Sequence, residues 1–354
     1  MSAAAKRILF QVRNRRGLGH MMRGLNIARA LRELDPGVDI LFYLRTPPAE
    51  GMWSPEVRYV VESDPDSLAH WPQVLQEFRP DVVVYDTMLP RDPANEPVVD
   101  SARYAYIMRK CLEDKQREVF ASPFLARMSA CIVPHVPEQF GYEVPERLRA
   151  RTRFVGPIVR LPDAAAQAAL RGKYGVAPGD FLLTSTVGGG GFEAQADAFF
   201  AVVFEAHRRL QGAVPNLRHL VVQGPNYAGT LVPLPGMTVV AVEPEMINLL
   251  AISDLVIAEG GYNTVNEIRV TRTPAIFLPS ERGNDDQEER VRALERAGLG
   301  FVFAPAEGAA VAAKVLELYR DPSALAAIRE RYASDRAPLG NRAAAELLLE
   351  LARR

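Results

Sequence analysis

The chain has 354 residues, of which 48% are hydrophobic and 24% are charged. These proportions are those of a globular protein with a sizeable core, and they exclude a disordered chain, a collagen and a small disulfide scaffold. The 42 basic and 43 acidic side chains leave a formal net charge of −1, which argues against a nucleic-acid-binding protein that relies on bulk positive charge.

The amino-terminal half alternates short apolar runs with longer amphipathic ones. The segment Met21–Leu34 is predicted to be a helix, because its apolar residues share one face and Pro36-Gly37 follows it. Strands flanked by helices indicate βαβ units and a parallel sheet. The predicted strands are Ile8–Val12, Asp39–Leu44, Val57–Val61, Val82–Tyr85, Tyr104–Met108 and Cys131–Pro134.

The same pattern restarts after Gly156-Pro157 and Pro162, which mark a linker. The chain is therefore predicted to be α/β, with two doubly wound halves and any ligand between them at the carboxyl ends of the strands. The predicted helices are Val265–Thr271, Asp286–Ala297 and the terminal Asn341–Arg354. The predicted strands are Phe181–Val187, His219–Val222, Thr238–Val242, Leu255–Ala258, Ala275–Leu278 and Phe301–Phe303.

Neither a leader nor a membrane span is indicated. The segment Met1–Arg7 lacks the apolar core of a signal peptide, and no apolar run approaches the ~18 residues of a membrane span. Cys111 and Cys131 are the only cysteines, and they share no metal-ligand spacing. We expect a cytoplasmic protein without a disulfide or a cysteine-ligated metal, which can still touch a membrane surface.

The first candidate motif, Arg13–Arg23, lies between the first strand and the first helix. Its glycines let the backbone approach a ligand, and the helix start favours an anion. The motif is not the Gly-x-Gly-x-x-Gly of dinucleotide-binding proteins. His20 lies at the carboxyl edge of the sheet, where it is either a general base or only the cap of the helix.

Asp86 ends an apolar strand on the same edge as His20. A carboxylate at this place can orient an imidazole and stabilise its protonated form. The alternative is an ordinary aspartate that makes a turn at the end of a strand. Both interpretations stay open at the level of the residues alone.

Four consecutive glycines, Gly188–Gly191, follow the strongest predicted strand and precede a helix. Such a loop suits a backbone nest around phosphate oxygens, and a merely flexible turn would not need four glycines. The Lys-Ser/Thr pair of a P-loop is absent, which disfavours ATPase chemistry.

The most specific motif runs from Glu259 to Glu267 and is followed by Asp286 and Gln287. Two glycines after a strand and an Asn-Thr pair at a helix start predict a second anion site, with Asn263 or Thr264 as the helix cap. Glu267, about one turn into the helix, can accept hydrogen bonds from vicinal hydroxyls such as those of a ribose.

These residues resemble a known group. The Gly-x-Asn-Ser/Thr-x-x-Glu core ending at Glu267, with its later Asp-Gln pair, resembles the donor-binding signature of GT-B glycosyltransferases. Gly17-Leu18-Gly19-His20 with Arg23 is similar to the amino-terminal loop of glycosyltransferase family 28, which includes the N-acetylglucosaminyltransferase of peptidoglycan synthesis. The Gly-Gly-Tyr-Asn-Thr sequence and Gly188–Gly191 are similar to a bacterial branch of predicted glycosyltransferases. The resemblance spans nearly the whole chain.

The resemblance implies a GT-B fold, in which two Rossmann-like domains face each other across a cleft. Residues 1–158 would bind the acceptor, residues 159–338 the nucleotide-sugar, and residues 339–354 would form a helix that returns to the first domain. The implied donor-binding residues are Gly189, Gly190, Gly191 and Gly261 with Asn263 and Thr264 for the diphosphate, Glu243 and Met246 in the base-reading stretch Val242–Met246, Glu267 for the ribose, and Asp286 and Gln287 for the sugar. The implied acceptor-side residues are His20 as a base, assisted by Asp86, and Arg13, Arg16, Gly19 and Arg23 for the acceptor or a phosphate.

The activity that this implies is inverting, metal-independent transfer of a sugar from a UDP- or dTDP-sugar. The acceptor would be a hydroxyl or amine of a small molecule or of a lipid-linked glycan, and no cofactor or nucleic acid would take part. The protein would be a monomer or homodimer in the cytoplasm, with peripheral contact at the inner membrane face.

Other functions remain open. One is a nucleotide-sugar hydrolase of the same fold, another is a non-catalytic sugar-nucleotide-binding partner subunit, and a dehydrogenase is a distant third because neither half has the dinucleotide fingerprint. One departure from the signature concerns Glu259, which stands where plant-type enzymes have a histidine near the phosphate. A carboxylate there is expected to point away from a diphosphate or to bind a cation.

Overall fold

The computed structural model describes residues 5–64, 67–90, 92–304, 306–335 and 337–353. The chain divides into two compact units, Met1–Val159 with Ala337–Arg354, and Arg160–Arg336. Met1–Ala4, at the start of the segment examined for a leader, and Arg354, the end of the predicted terminal helix, lie outside the described residues. Each unit is built on its own parallel sheet.

The first unit contains a seven-stranded sheet in the order β3-β2-β1-β4-β5-β6-β7. Strand order reverses between β1 and β4, and a reversal of this kind is where open α/β sheets bind ligands. Gln11 of β1 is the register partner of Tyr85 of β4, so the two strands end side by side. The strands are β1 Arg7–Val12, β2 Asp39–Leu44, β3 Arg58–Val61, β4 Val82–Asp86, β5 Arg103–Ile107, β6 Ala130–Val133 and β7 Thr152–Phe154.

Helices cover this first sheet, and a short 3-10 turn, Pro123–Arg127, precedes β6. The helices of the unit are α1 Gly19–Leu34, α2 Trp71–Phe78, α3 Glu113–Ala121, α4 Pro137–Phe140 and α5 Glu146–Arg149, together with a terminal helix, Asn341–Leu351. The terminal helix packs on α1, and Gly340 at its start donates from its N–H to the carbonyl of Pro157 at 2.7 Å. The end of the chain is therefore part of the first unit.

The second unit contains a six-stranded sheet in the order β10-β9-β8-β11-β12-β13, again with every strand pair parallel. Its strands are β8 Phe181–Thr186, β9 Leu217–Val222, β10 Met237–Val240, β11 Leu255–Ala258, β12 Ala275–Phe277 and β13 Phe301–Val302. Its helices are α6 Ala164–Lys173, α7 Glu193–Leu210, α8 Met246–Ile252, α9 Tyr262–Thr271, α10 Gln287–Arg296, α11 Gly308–Arg320 and α12 Pro322–Ser334. The strand order reverses between β8 and β11.

The predicted α/β fold with two doubly wound sheets is confirmed. All predicted strands exist, and their ends differ from the predicted ones by at most two residues. The strand β7 was not predicted, because its three residues carry too short a pattern. Val242 and Leu278 lie beyond the strands to which they were assigned, since β10 ends at Val240 and β12 at Phe277. Within the described part of the chain, no helix is both long and apolar enough to cross a membrane.

Candidate active site and donor-binding edge

The carboxyl edge of the first sheet brings His20 and Asp86 together. The Nδ1 atom of His20 lies 3.0 Å from Oδ1 of Asp86. The aspartate side chain is 2% exposed, whereas the histidine is 23% exposed. Helix α1 begins at Gly19, and its N-cap residue, Leu18, makes no side-chain cap. His20 is therefore not the cap of the helix, which settles that alternative.

The guanidinium of Arg23 holds Asp86 as a carboxylate, whereas the family resemblance implied that Arg23 contacts the acceptor or a phosphate. Nε of Arg23 donates to Oδ2 of Asp86 at 2.9 Å, and Nη2 of the same guanidinium pairs with Oδ1. The hydroxyl of Thr87 also donates to Oδ1, at 2.8 Å. Burial by itself would raise the pKa of Asp86, but the positive charges of Arg23 and of His20 outweigh it and hold that pKa well below its usual range.

An ionised Asp86 determines which nitrogen of His20 carries the proton. Because the carboxylate only accepts hydrogen bonds, Nδ1 is the donor, and Nε2 is left with the lone pair that a general base needs. The side chain of His20 is oriented by a buried carboxylate and is itself partly exposed, which is the arrangement expected of a general base.

The side chain of Arg23 is 1% exposed, and its guanidinium forms an ion pair with Asp86. We therefore interpret it as a positioning residue rather than as a contact for an acceptor or phosphate. The signal in the sequence was the spacing of three residues between His20 and Arg23, which places both side chains on one face of α1.

The loop between β1 and α1 is anchored by Asn14, which sequence reasoning missed. Its side-chain oxygen accepts from the N–H groups of Arg45 and Thr46 at 3.0 and 3.1 Å, and its amide donates to the carbonyl of Thr46 at 2.7 Å. The loop is thus fixed to the end of β2. Within it Arg13 is partly buried, Arg16 is exposed, and Gly19 is the first residue of α1.

In the second unit, part of the Gly188–Gly191 run is explained by packing. Gly190 has a φ of 75°, and a methyl group on it would lie 2.8 Å from the carbonyl oxygen of Gln223 and 2.9 Å from Cβ of Tyr227. Gly189 accepts a hydrogen bond from the N–H of Asn226 at 3.0 Å. A larger residue would thus separate this loop from the segment after β9.

The same loop lies beside the start of α9. A methyl group built on Gly188 would be 3.7 Å from the hydroxyl of Thr264. Helix α9 begins at Tyr262, with Gly261 as an N-cap residue that makes no side-chain cap. The expectation that Asn263 or Thr264 caps the helix is therefore wrong, because both already belong to its first turn. The first-turn amides of a helix have no intrahelical acceptor, so this junction of two segments favours an anion.

Glu267 lies on α9, one turn beyond this junction. Within the described residues its carboxylate has no hydrogen bond or ion pair. Burial raises its pKa to about 7, and the charge of Arg160 opposes that rise. A partly buried carboxylate without donors is suited to two vicinal hydroxyls, which would supply the missing hydrogen bonds.

The stretch Val242–Met246 leads into α8. Glu243 is buried, and its Oε2 pairs with Nζ of Lys173 at 2.7 Å and accepts from the hydroxyl of Tyr174. These donors outweigh the effect of burial and lower the pKa of Glu243. Met246 is the first residue of α8 and is partly buried. The side chain of Glu243 thus holds this stretch in place. Recognition of a nucleotide base by this stretch is therefore left to its backbone groups.

Glu259 binds a cation, as one of the two expectations for it required. Nη2 of Arg282 lies 2.6 Å from its Oε2, and the hydroxyl of Ser280 donates to its Oε1 at 2.9 Å. Sequence reasoning missed Arg282, which lies 23 residues away in a loop. The negative charge of Glu259, which directly precedes Gly260, is therefore balanced by Arg282.

Asp286 and Gln287 lie at the start of α10, and both are buried. Arg290 pairs with Asp286 and with Asp285, the latter at 2.5 Å, and also donates to the carbonyl of Gly260 at 2.5 Å. The side-chain oxygen of Gln287 accepts from the N–H of Ser280 at 3.4 Å. Arg290, which sequence reasoning also missed, therefore ties the start of α10 to the glycine pair before α9.

Two further histidines, His207 and His219, are packing residues. Nδ1 of His207 lies 3.0 Å from Nδ1 of His219, whose Nε2 lies 2.8 Å from the hydroxyl of Ser185. Burial, together with the neighbouring His207, lowers the pKa of His219 to about 3. The pair is neutral at physiological pH and belongs to the interior of the second unit.

A pocket of about 290 Å³ adjoins the Glu259 cluster in the second unit. The first turns of α7 form one wall, and the segment after β12 forms the other. Its lining includes Ala194, Gln195, Ala198, Phe199, Glu259, Leu278, Pro279, Ser280 and Glu281. No group of three or more histidine, cysteine or acidic side chains suited to a metal ion occurs among the residues that the structure describes.

Comparison with known proteins shows which proteins this chain is similar to. Residues 186–341 match the glycosyltransferase family 28 C-terminal domain. The UDP-N-acetylglucosamine--N-acetylmuramyl-(pentapeptide) pyrophosphoryl-undecaprenol N-acetylglucosamine transferase of Symbiobacterium thermophilum is 26% identical over 334 residues, which cover 84% of this chain and 85% of the relative. The protein of the same name from Clavibacter michiganensis subsp. michiganensis is 29% identical and covers 71% of this chain and 67% of its own length.

Solved structures agree on the fold. The spinosyn forosaminyltransferase SpnP superposes with a TM-score of 0.68 at 17% identity, over 99% of this chain and 100% of the other. The Streptomyces sp. SF2575 glycosyltransferase SsfS6, complexed with thymidine diphosphate, superposes with a TM-score of 0.62 at 14% identity, over 98% and 99%. The predicted resemblance to family 28 and to the GT-B fold is therefore confirmed.

Proposed function

Because the chain is a glycosyltransferase of the family 28 and GT-B type, we propose that it transfers a sugar from a nucleotide-sugar to an acceptor with inversion at the anomeric carbon. The observation that carries this proposal is the contact of His20 with the buried, ionised Asp86. A base that can deprotonate an acceptor permits direct displacement in one step.

In the proposed reaction, Nε2 of His20 takes the proton of an acceptor hydroxyl or amine. The acceptor atom then forms a bond to the anomeric carbon, while the bond from that carbon to the phosphate oxygen breaks. The nucleoside diphosphate leaves with the electron pair. Asp86 stabilises the imidazolium that forms, and Arg23 keeps Asp86 ionised throughout.

The second unit binds the donor. The amides around Gly190 and at the start of α9 face the diphosphate, and they stabilise the charge that develops on the leaving group without a metal ion. Glu267 accepts hydrogen bonds from the two ribose hydroxyls, and its lack of partners within the described residues supports this role. Asp286 and Gln287 contact the sugar, and the backbone of Val242–Met246 reads the base.

The relatives' printed names guide the choice of substrates. The donor proposed first is a UDP-sugar, since both relatives reported above are named for UDP-N-acetylglucosamine, and a dTDP-sugar is the second choice. The proposed acceptor is a lipid-linked glycan or a small molecule. A lipid-linked acceptor would draw the protein to the inner face of the membrane, as a peripheral protein.

The test measures consumption of the donor. Release of the nucleoside diphosphate is recorded with and without candidate acceptors. Release that depends on an acceptor, with the sugar recovered in the product in inverted configuration, supports the proposal. Release in water alone would make the protein a nucleotide-sugar hydrolase. Binding of the donor without release by any route would make it a non-catalytic subunit.

A further inference from the structure

The guanidinium of Arg282 contacts one residue next to each glycine segment of the second unit, Gly188–Gly191 and Gly260-Gly261. Its Cζ lies 3.9 Å from the centre of the Phe192 ring, and Phe192 directly follows the Gly188–Gly191 loop. Its Nη2 lies 2.6 Å from Oε2 of Glu259, which directly precedes Gly260. One guanidinium group thus connects the two segments that favour an anion.

Two nitrogens of this guanidinium lack hydrogen-bond acceptors. The side chain is 10% exposed, and both Nε and Nη1 are buried without a partner among the residues that the structure describes. A charged N–H group that is buried in this way has lost its bonds to water and gained none in return, so it is rare in folded proteins unless a ligand serves it.

Among the described residues, no neighbouring acidic side chain accepts a hydrogen bond from Nε or Nη1 of Arg282. Both oxygens of Glu259 are occupied, by Arg282 and by Ser280. A second largely buried guanidinium near Gly260, that of Arg290, donates to the carbonyl of Gly260 and pairs with two aspartates. Arg282 therefore differs from Arg290 in having N–H groups that no acidic side chain has taken.

We propose that Nε and Nη1 of Arg282 donate hydrogen bonds to the phosphate oxygens of the nucleoside diphosphate. This inference rests on the proposed function, and it names a residue that binds the leaving group. The guanidinium would strengthen its hydrogen bonds as the bond to the sugar breaks and negative charge accumulates on the diphosphate. Glu259 holds the cation in place and balances its charge in the free protein.

Access to the two donors requires Phe192 to move. Both nitrogens are shielded from solvent, and the aromatic ring lies against the guanidinium. Phe192 is partly exposed and follows four glycines, two of which have positive φ. Because glycines give a loop wide backbone freedom, the ring can turn aside when a phosphate replaces its cation–π contact with charge-assisted hydrogen bonds.

The experiment is calorimetric titration of the full-length protein with UDP and dTDP, and with uridine and thymidine, which lack phosphates. Arg282→Gln is expected to bind the preferred diphosphate about 10- to 100-fold more weakly, with little change for the nucleoside. Glu259→Gln is expected to bind the diphosphate as well as the wild type or up to about 10-fold more tightly, since it removes a carboxylate that competes for Arg282. Arg209→Gln, an exposed arginine of α7 that pairs with Glu205, is the matched control and should behave as the wild type.

The opposite effects expected of Arg282→Gln and Glu259→Gln distinguish a ligand contact from a purely structural ion pair. Equal losses in both variants, or wild-type affinity in Arg282→Gln, would overturn the inference while leaving the proposed function intact. If Arg282→Gln does not fold, the double variant Glu259→Gln/Arg282→Gln decides, because it removes both buried charges and should show the same loss of diphosphate affinity. A wild-type protein that binds no nucleoside diphosphate would overturn both proposals.

Discussion

Nδ1 of His20 lies 3.0 Å from Oδ1 of Asp86, although 66 residues separate them in the chain. The contact follows from the sheet: β1 and β4 are parallel neighbours, and α1 starts just after the first of them. The carboxyl ends of parallel strands share one edge, so a histidine at the start of a helix and an aspartate at the end of a strand are brought together.

His20→Gln is expected to lower turnover by ~10²–10⁴-fold, because the acceptor loses its general base. Affinity for the nucleoside diphosphate should not change, since the proposed donor-binding residues all lie in the second unit. Turnover and titration of the same preparation test both statements. His70→Gln, which changes an exposed histidine of the same unit, is the control and should remain active. Near-normal turnover of His20→Gln would reject the base.

Arg23→Met is expected to lower turnover by about 10- to 100-fold, because Asp86 loses the cation that holds it as a carboxylate. In the wild type, Nε of Arg23 donates to Oδ2 of Asp86 at 2.9 Å and offsets the burial that would raise the pKa of this carboxyl. A protonated Asp86 would no longer stabilise the imidazolium of His20. Arg32→Met, on the same helix, should leave turnover unchanged, and Arg23→Lys, which keeps the positive charge, should recover part of the lost activity. Normal turnover of Arg23→Met would reject this role of Arg23.

Glu267→Gln is expected to raise the free energy of unfolding at pH 8 by about 3 kcal/mol. The folded-state pKa of Glu267 is raised to about 7, above its ordinary value of 4.5. Its contribution is therefore fully present below pH 4.5 and is lost as pH rises through 7, where the chain must hold a buried charge. The variant and the wild type should thus have similar stability at pH 4.5 and diverge above it. Denaturant titrations across this range that give parallel curves would contradict the raised pKa.

The neutral His207–His219 pair is expected to destabilise the protein in acid. The folded-state pKa of His219 is lowered to about 3 from the ordinary 6.5, so its contribution is present above pH 6.5 and is lost as pH falls toward 3. Between pH 7 and pH 4 this amounts to roughly 3 kcal/mol of unfolding free energy. His219→Asn should lose less stability over that range, and comparison with the wild type cancels the contribution of Glu267. An equal loss in both proteins would reject this role.

The general plan of the site could be predicted from the sequence because it depends on strand ends and glycine runs. His20, Asp86 and Glu267 each follow directly from a pattern of apolar residues and the turn or helix that comes after it. The contacts of Arg23, Arg282 and Arg290 could not be predicted in the same way. A long arginine side chain can reach many partners, and the path of a loop decides which one it meets.

The glycines show the same limit. Gly188–Gly191 was predicted as a phosphate nest, yet Gly190 is also required by its positive φ and by the close approach of the segment after β9. Similarly, a methyl group on Gly260 would lie 2.6 Å from Cγ1 of Val291, so packing alone explains that position. The sequence alone does not distinguish a glycine that packing requires from one that approaches a phosphate, whereas the structure shows the packing contacts directly.

The most direct test of the account is a thermal-shift panel with UDP, dTDP, GDP and ADP on the wild type and on Glu267→Gln. A ligand at ~100 times its dissociation constant adds about 2.7 kcal/mol to stability, which is enough for a clear rise in Tm. The account predicts that UDP or dTDP raises the Tm of the wild type and that the ligand-induced rise is much smaller in the variant. No rise with any nucleoside diphosphate would contradict the donor site, and with it the proposed sugar transfer.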